Sequence, residues 1–200
     1  MKYLSNQLLD ELYAQTETTI NKAITEWQQV SNTRFITQPD TGKWSAAQCL
    51  EHLNSYGRYY LPAIEKAIEN SAATNPSVHF KSSWLGNYFY KLMLPENNGK
   101  PSRKMKSPKN HQPGMQLNAA LVLNEFISQQ EKIGQLIIKA RLIDINKARV
   151  PISIAPLIKL KLGDVLLFVI AHIQRHMLQA ERALEQAAYS VQKEKPVLQL

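Results

Sequence analysis

The chain has 200 residues, of which 44% are hydrophobic and 20% charged, the ordinary range of a globular protein with one core. Its apolar runs fall short of the roughly 18 residues that a bilayer span needs, so no membrane-spanning segment is predicted. The formal net charge of +8 is spread thinly outside one segment, and no nucleic-acid-reading motif accompanies it, so nucleic-acid binding is not expected.

Location and redox chemistry follow from two further features. The single cysteine, Cys49, excludes an internal disulfide and a cysteine-rich zinc site. Residues 1–15 carry acids early and lack an unbroken apolar core or a cleavage-site pattern, so no signal peptide is predicted. We therefore expect a cytoplasmic protein without membrane association, organised as a single domain over residues 1–200.

The first two of four long segments with helical periodicity lie in the N-terminal third of the chain. Apolar side chains recur on one face over about residues 4–30, without an interrupting glycine or proline. The second segment, about residues 45–70, begins with Ser45 as N-cap and has Gln48 three residues later, which together form a capping box. Pro62 is expected to kink this helix without ending it.

Residues 71–116 lose this periodicity and are predicted to form a long irregular insertion. The aromatic stretch 82–94 is compatible with a short packed helix, and the segment after it is rich in Pro, Asn, Gly and Lys, as loops are. Two interpretations of its cations stay open: a solvated loop, or a lid that attracts an anionic substrate. These cations are Lys100, Arg103, Lys104, Lys106 and Lys109.

The remaining two periodic segments cover about residues 117–142 and 164–188, with a proline-containing connector, 144–161, between them. Four amphipathic helices without a convincing sheet predict an all-α four-helix bundle, with the long insertion between its second and third helices. The first half of the fourth helix is apolar almost all round, which predicts burial on several sides. Either a dimer interface or the connector would provide that cover.

Two of the five histidines, His172 and His176, lie one turn apart on the face of the fourth helix that is predicted to be buried. His52 lies on the inward face of the second helix. Because bundles build metal sites from inward side chains on facing helices, these three can supply nitrogen ligands and leave a coordination position open. The alternative is that all three are hydrogen-bonded core residues. His79 and His111 fall in the irregular region and are expected to be exposed loop histidines.

Four neighbours of these histidines are candidates for lining a pocket. Cys49, Tyr56 and Tyr59 share the face of His52, and Gln179 shares that of His176. Each also has a structural interpretation: a small buried thiol, core aromatic rings, and a glutamine that satisfies a buried backbone group. Spacing alone does not decide between the two.

Three charged residues near the histidines are expected to be structural rather than catalytic. Glu51 is predicted to lie at the surface or in an ion pair, and Asp164 to cap the fourth helix. No catalytic residue is therefore assigned from the sequence. Arg175 lies at the edge of the histidine face and is expected to pair with an acid on a neighbouring helix.

Two helical motifs resemble one protein family. WSAAQCLEHL, residues 44–53, resembles the second-helix signature of DinB-like proteins, the DinB/YfiT-type bundles that share only a name with a DNA polymerase. GDVLLFVIAHIQRHMLQ, residues 163–179, is similar to their fourth-helix signature, in which H-x-x-R-H is followed closely by Gln. MKSPKNHQP, residues 105–113, resembles the loop before the third helix in one branch of the family.

The resemblance implies an up-up-down-down bundle that holds one divalent metal ion, zinc or nickel, on His52, His172 and His176. It also implies a homodimer, a small-molecule substrate, and either hydrolase chemistry or transfer of a low-molecular-weight thiol that serves as cosubstrate. A metal on three neutral imidazoles keeps its positive charge and can activate a bound water or thiol near neutral pH. The alternative function is a non-catalytic metal-binding module for stress response or protein interaction.

Overall fold

The computed structural model describes residues 1–94 and 106–193, with side chains described as far as residue 188. The described chain is mostly helical, so the all-α class predicted from the sequence is confirmed. The predicted long helices correspond to α1 (Ser5–Thr25), α3 (Ala46–Glu69), α5 (Ala119–Ala140) and α6 (Leu162–Lys193). The shorter elements are α2 (Asn32–Ile36), α4 (Trp84–Met93), β1 (Lys2–Leu4), β2 (His79–Lys81), β3 (Arg149–Ile152) and β4 (Ala155–Lys161).

Polar contacts fix the direction of α1 relative to its neighbours α5 and α6. Asp10, in the first half of α1, pairs with Arg141, directly after the end of α5, so these two helices run antiparallel. Contacts between α1 and α6 advance along both helices in the same sense, through the pairs Thr19–Gln174 and Lys22–Glu181. The helices α1 and α6 therefore run parallel.

The order of the bundle differs from the one that the resemblance implied. Helix α3 packs between α5 and α6, parallel to α5 through the pairs Asn54–Val122 and Glu65–Lys132. It runs antiparallel to α6, through the pairs His52–His172 and Tyr60–Phe168. The directions are thus up, down, down, up, and the up-up-down-down expectation was wrong. The reason lies in where the helices start: residues 26–45 reverse the chain between α1 and α3, whereas α5 starts at the end of the bundle where α3 began.

Helix α3, which carries His52, has the start that its sequence predicts. The Ser45 hydroxyl accepts from the Gln48 backbone N–H, and the Gln48 side-chain oxygen accepts from the Ser45 N–H, which completes the capping box. The helix continues through Pro62 to Glu69. The start of the helix that carries His52 is therefore set by local sequence.

Two segments that were predicted to be irregular contain ordered elements. Within residues 71–116, β2 pairs antiparallel with β1, and α4 packs on α6. The connector between α5 and α6 forms a β3–β4 hairpin, so the expectation of no sheet was wrong. The hairpin covers the first turns of α6, where Val165 and Leu166 are buried, as the connector interpretation of that apolar segment requires. Among the described helices, none combines the length and the apolar character that crossing a bilayer needs.

Candidate metal centre

Three histidines converge where the antiparallel helices α3 and α6 face each other. His52, His172 and His176 are 3%, 6% and 9% exposed, so all three imidazoles are buried. One nitrogen of each ring lies within 4.8 Å of the other two, and the Nε2 atoms of His52 and His172 are 3.2 Å apart. Nitrogen donors gathered around one point in this way are suited to a divalent metal ion.

Hydrogen bonds on the far side of two of the rings set their tautomers. His52 Nδ1 lies 2.7 Å from the carbonyl oxygen of His111, and His176 Nδ1 lies 3.0 Å from the side-chain oxygen of Gln179. Because both partners accept, each Nδ1 carries the hydrogen and donates it. The Nε2 lone pairs of these two rings are therefore available to a metal, the arrangement in which protein histidines are usually held as ligands.

Burial keeps the three imidazoles neutral. It lowers the pKa of His52 to about 4 and the pKa of His176 to about 3. Burial also lowers the pKa of His172 well below its ordinary value, and the neighbouring histidines add to this effect. Neutral imidazole is the form that binds a metal, so the donor set fits a divalent ion at neutral pH without first losing protons.

Metal-free protein is expected to lose stability as the pH falls from 6.5 toward 4. Below the unfolded-state pKa of about 6.5 the unfolded chain binds more protons than the folded one, so each histidine can remove up to about 1.4 kcal/mol per pH unit. Guanidinium unfolding at several pH values, with a chelator present, measures this slope. His172→Leu should flatten it, whereas His79→Leu, at an exposed position, should not. A free energy of unfolding that stays constant from pH 7 to pH 5 would contradict the prediction.

The three histidines border a cavity of about 920 Å³. The Tyr56 ring packs edge-on against His172 and His52, with centroids 4.5 and 5.0 Å away, and the Trp44 ring lies 4.9 Å from His52. Burial raises the pKa of Tyr56 to about 12, so its hydroxyl stays protonated and can donate a hydrogen bond. The cavity thus combines a group of nitrogen donors with an aromatic wall.

Two of the four predicted pocket residues lie in this cavity and two do not. Tyr56 and Gln179 line it. Cys49 is fully buried in the core, where burial raises the pKa of its thiol, so it is a small hydrophobic side chain rather than a nucleophile. Tyr59 is half-buried and packs against Tyr60. Tyr60, and not the predicted Tyr59, is the residue that lines the cavity. Position on a helix face did not distinguish these neighbouring tyrosines.

The two candidate carboxylates lie outside the cavity. Glu51 accepts hydrogen bonds from Arg58, and Asp164 accepts from Ser82 and Ser83, as structural roles require. Asp164 therefore holds the start of α4 rather than capping its own helix.

The cations around the cavity include side chains of α6 and of the predicted basic loop. Arg175 lines it and donates from Nη1 to the carbonyl oxygen of Leu92, at the end of α4. From the predicted basic loop, Lys106 lines the cavity, and Lys109 is exposed on a single turn of 3-10 helix. Lys100, Arg103 and Lys104 lie outside the described residues.

His111 corrects the expectation of an exposed loop histidine, since it is only 4% exposed. Its Nδ1 lies 2.6 Å from the Ser55 hydroxyl, and its ring stacks on Tyr56 with centroids 3.9 Å apart. These contacts hold the backbone whose carbonyl orients His52. The only sequence signal for this role was the resemblance of MKSPKNHQP to the loop of one family branch, which says nothing about burial. His79, in contrast, is exposed as expected.

Comparison with known proteins gives one match. The sequence model of the DinB superfamily matches residues 15–180, a range that contains the three histidines, all of α3 and the part of α6 that carries His172 and His176. No curated protein and no solved structure matches the chain significantly. The family match covers most of the chain, and the motifs in α3 and α6 that resembled the family are the segments that build the histidine cluster. The chain therefore belongs to the DinB superfamily.

Proposed function

We propose that the protein is a metal-dependent enzyme in which His52, His172 and His176 hold one divalent ion, zinc or nickel. The observation that carries this proposal is the convergence of three buried, neutral imidazoles beside a cavity large enough for a small-molecule substrate. A structural zinc site uses four protein ligands, whereas three leave a position open to a substrate. A metal bound there would lower the pKa of a water or thiol that it binds, which supplies a nucleophile near neutral pH.

Transfer of a low-molecular-weight thiol is the reaction that the described lining favours. Among the lining residues that the structure describes, none is an aspartate or glutamate, so the cavity offers no carboxylate as general base. A thiol ionises with an ordinary pKa of about 8.5, whereas water needs far more help at about 15.7. Hydrolysis is the second candidate, because Gln179 and the Tyr56 hydroxyl can position a water.

The chain's own side chains would orient the reactants. The Tyr56 hydroxyl can donate to negative charge that develops on the electrophile, while Gln179 holds the ring of His176. Phe168 stacks on His172 with centroids 5.6 Å apart, and Trp44 packs 5.9 Å from His176. These aromatic rings limit the access of water to the histidines.

Metal-loaded protein is expected to transfer glutathione or cysteine to an aryl chloride or an epoxide. Tyr56→Phe should lower kcat by about tenfold or more with little change in KM, because its hydroxyl acts on charge that develops in the transition state. Tyr59→Phe, outside the cavity, is the matched control and should leave kcat unchanged. Metal-dependent turnover of esters or amides, but not of thiols, would establish the hydrolase instead. No metal-dependent turnover of either kind would favour a non-catalytic module.

The homodimer implied by the family resemblance and the cytoplasmic location expected from the sequence both stay predictions. Sedimentation equilibrium of the full chain tests the first. A mass equal to that of one chain over the micromolar range would contradict a stable dimer.

A further inference from the structure

One end of the cavity beside the histidines is apolar. It lies along the first turns of α6, where the rings of Tyr60 and Phe89 pack 5.9 and 6.3 Å from the ring of Phe168. Ile152 and Leu160 of the β3–β4 hairpin also line the cavity, and both are buried. An aromatic and aliphatic wall of this kind accepts a hydrocarbon or aryl group.

The charged side chains in the described lining of the cavity are cationic. Its described lining includes four cationic side chains and no acidic one: Lys43, Lys106, Arg175 and Arg182. Lys43 forms an ion pair with Asp40, with the two charged groups 3.3 Å apart, which reduces its contribution to the positive potential. A cavity lined by one sign of charge, with low-dielectric walls, favours a ligand of the opposite sign.

Helix α6 sets the order of these features. Phe168, His172, His176, Gln179 and Arg182 follow each other at intervals of three or four residues, so they form one stripe along the helix. At about 1.5 Å per residue, Arg182 lies about 9 Å beyond His176 and Phe168 about 6 Å before His172. The histidines thus lie between the aromatic end and the arginine.

We propose that the cavity binds an amphipathic anion, whose charged group lies at Arg182 and whose apolar body packs on Phe168. The reacting centre of such a molecule then lies beside the histidines, a placement that rests on the proposed function. The orientation of the anion in the cavity does not depend on the proposed function, because the side chains at the two ends, Arg182 and Phe168, are not the proposed metal ligands. A small polar thiol leaves the apolar end empty, so the amphipathic anion is the electrophilic substrate. The thiol sulfur bonds to its electrophilic carbon as a C–Cl or an epoxide C–O bond breaks, and the thiol proton leaves with the chloride or passes to the epoxide oxygen.

Isothermal titration with decanesulfonate tests this polarity, because a sulfonate is a weak metal ligand. At fixed ionic strength, decanesulfonate is expected to bind at least about tenfold more tightly than decyltrimethylammonium, which has the wrong charge. The affinity for decanesulfonate should also exceed the affinity for methanesulfonate, which lacks the apolar body, by a similar factor. The preference is expected with and without bound metal. Equal binding of decanesulfonate and decyltrimethylammonium would overturn the proposal.

Variants locate the two ends. Arg182→Gln should weaken decanesulfonate binding about fivefold or more, whereas Arg141→Gln, which removes the same charge at the opposite end of the bundle, should not. Phe168→Ala should weaken decanesulfonate and leave methanesulfonate unchanged. If Phe168→Ala does not fold, Phe89→Ser at a half-buried lining position replaces it. An Arg182→Gln variant that behaves like Arg141→Gln overturns the proposal.

Metal content of the same samples separates this proposal from the proposed function. If the protein loads metal but binds decanesulfonate no more tightly than decyltrimethylammonium, the metal site is supported and the proposal of an amphipathic anionic substrate is overturned. If the protein prefers decanesulfonate over decyltrimethylammonium as expected but loads no metal, the result supports the amphipathic binding cavity and contradicts the proposed metal-dependent enzyme.

Discussion

Replacing His172 with alanine is expected to abolish stoichiometric zinc or nickel binding. Among the described residues, His172 contributes one of the three histidine nitrogens gathered at the site, and its ring centroid lies 5.1 Å from that of His52 and 4.7 Å from that of His176. Loss of a partner that merely orients a ligand weakens metal affinity by about 10- to 100-fold. Loss of the ligand itself should therefore exceed about 100-fold.

The measurement is elemental analysis of protein purified without a histidine tag, followed by competition with a chromophoric chelator. His79→Ala is the matched control, because it removes an exposed histidine from β2 and should retain wild-type metal content. Gln179→Ala should give an intermediate affinity, since it removes only the acceptor that holds His176. Equal metal content in wild type and a His52→Ala/His172→Ala variant would show that the site is wrong.

Metal should also stabilise the fold of the proteins that keep His52, His172 and His176. A ligand that binds only the folded state adds about 2.7 kcal/mol at a free concentration of 100 times its dissociation constant. Thermal unfolding with and without zinc should therefore shift in wild type and in His79→Ala. The same titration should leave His172→Ala unchanged.

Asp164→Ala is expected to cause the largest loss of stability among the substitutions considered, about 3 kcal/mol or more. The carboxyl group is fully buried and accepts from the Ser82 hydroxyl at 2.6 Å, the Ser83 hydroxyl at 2.6 Å and the Ser83 N–H at 3.1 Å. Truncation leaves these partly buried donors without their acceptor. It also separates the first turn of α6 from the start of α4, where Gly86 packs directly against this carboxyl group.

Chemical denaturation of the metal-free protein measures this loss. Asp10→Ala is the control, because it breaks an exposed ion pair with Arg141 and should cost less than about 1 kcal/mol. Asp164→Asn should fall between the two, since an amide keeps one acceptor but brings N–H groups to a site that supplies donors. A loss below about 1 kcal/mol for Asp164→Ala would contradict this account of how α4 is anchored.

Much of the helical framework and the inward position of the key histidines follow from local sequence. A 3.6-residue apolar period and a capping box depend on residues within a few positions of each other, so α3 and its start at Ser45 are predictable without tertiary information. The same period places His172 and His176 on one buried face. It also places His52 inward on a second helix, which is why the three could be proposed as one site.

The tertiary structure decided which way the helices run and what surrounds the histidines. Amphipathic periodicity is the same for a helix that points up or down, so the up-down-down-up order emerges only from contacts between distant residues. His111, whose carbonyl oxygen lies 2.7 Å from His52 Nδ1, is buried but belongs to a segment without hydrophobic periodicity, so its burial could not be predicted from the sequence. Likewise, Tyr59 and Tyr60 are adjacent in sequence, and only packing against α6 and the hairpin places Tyr60 at the cavity.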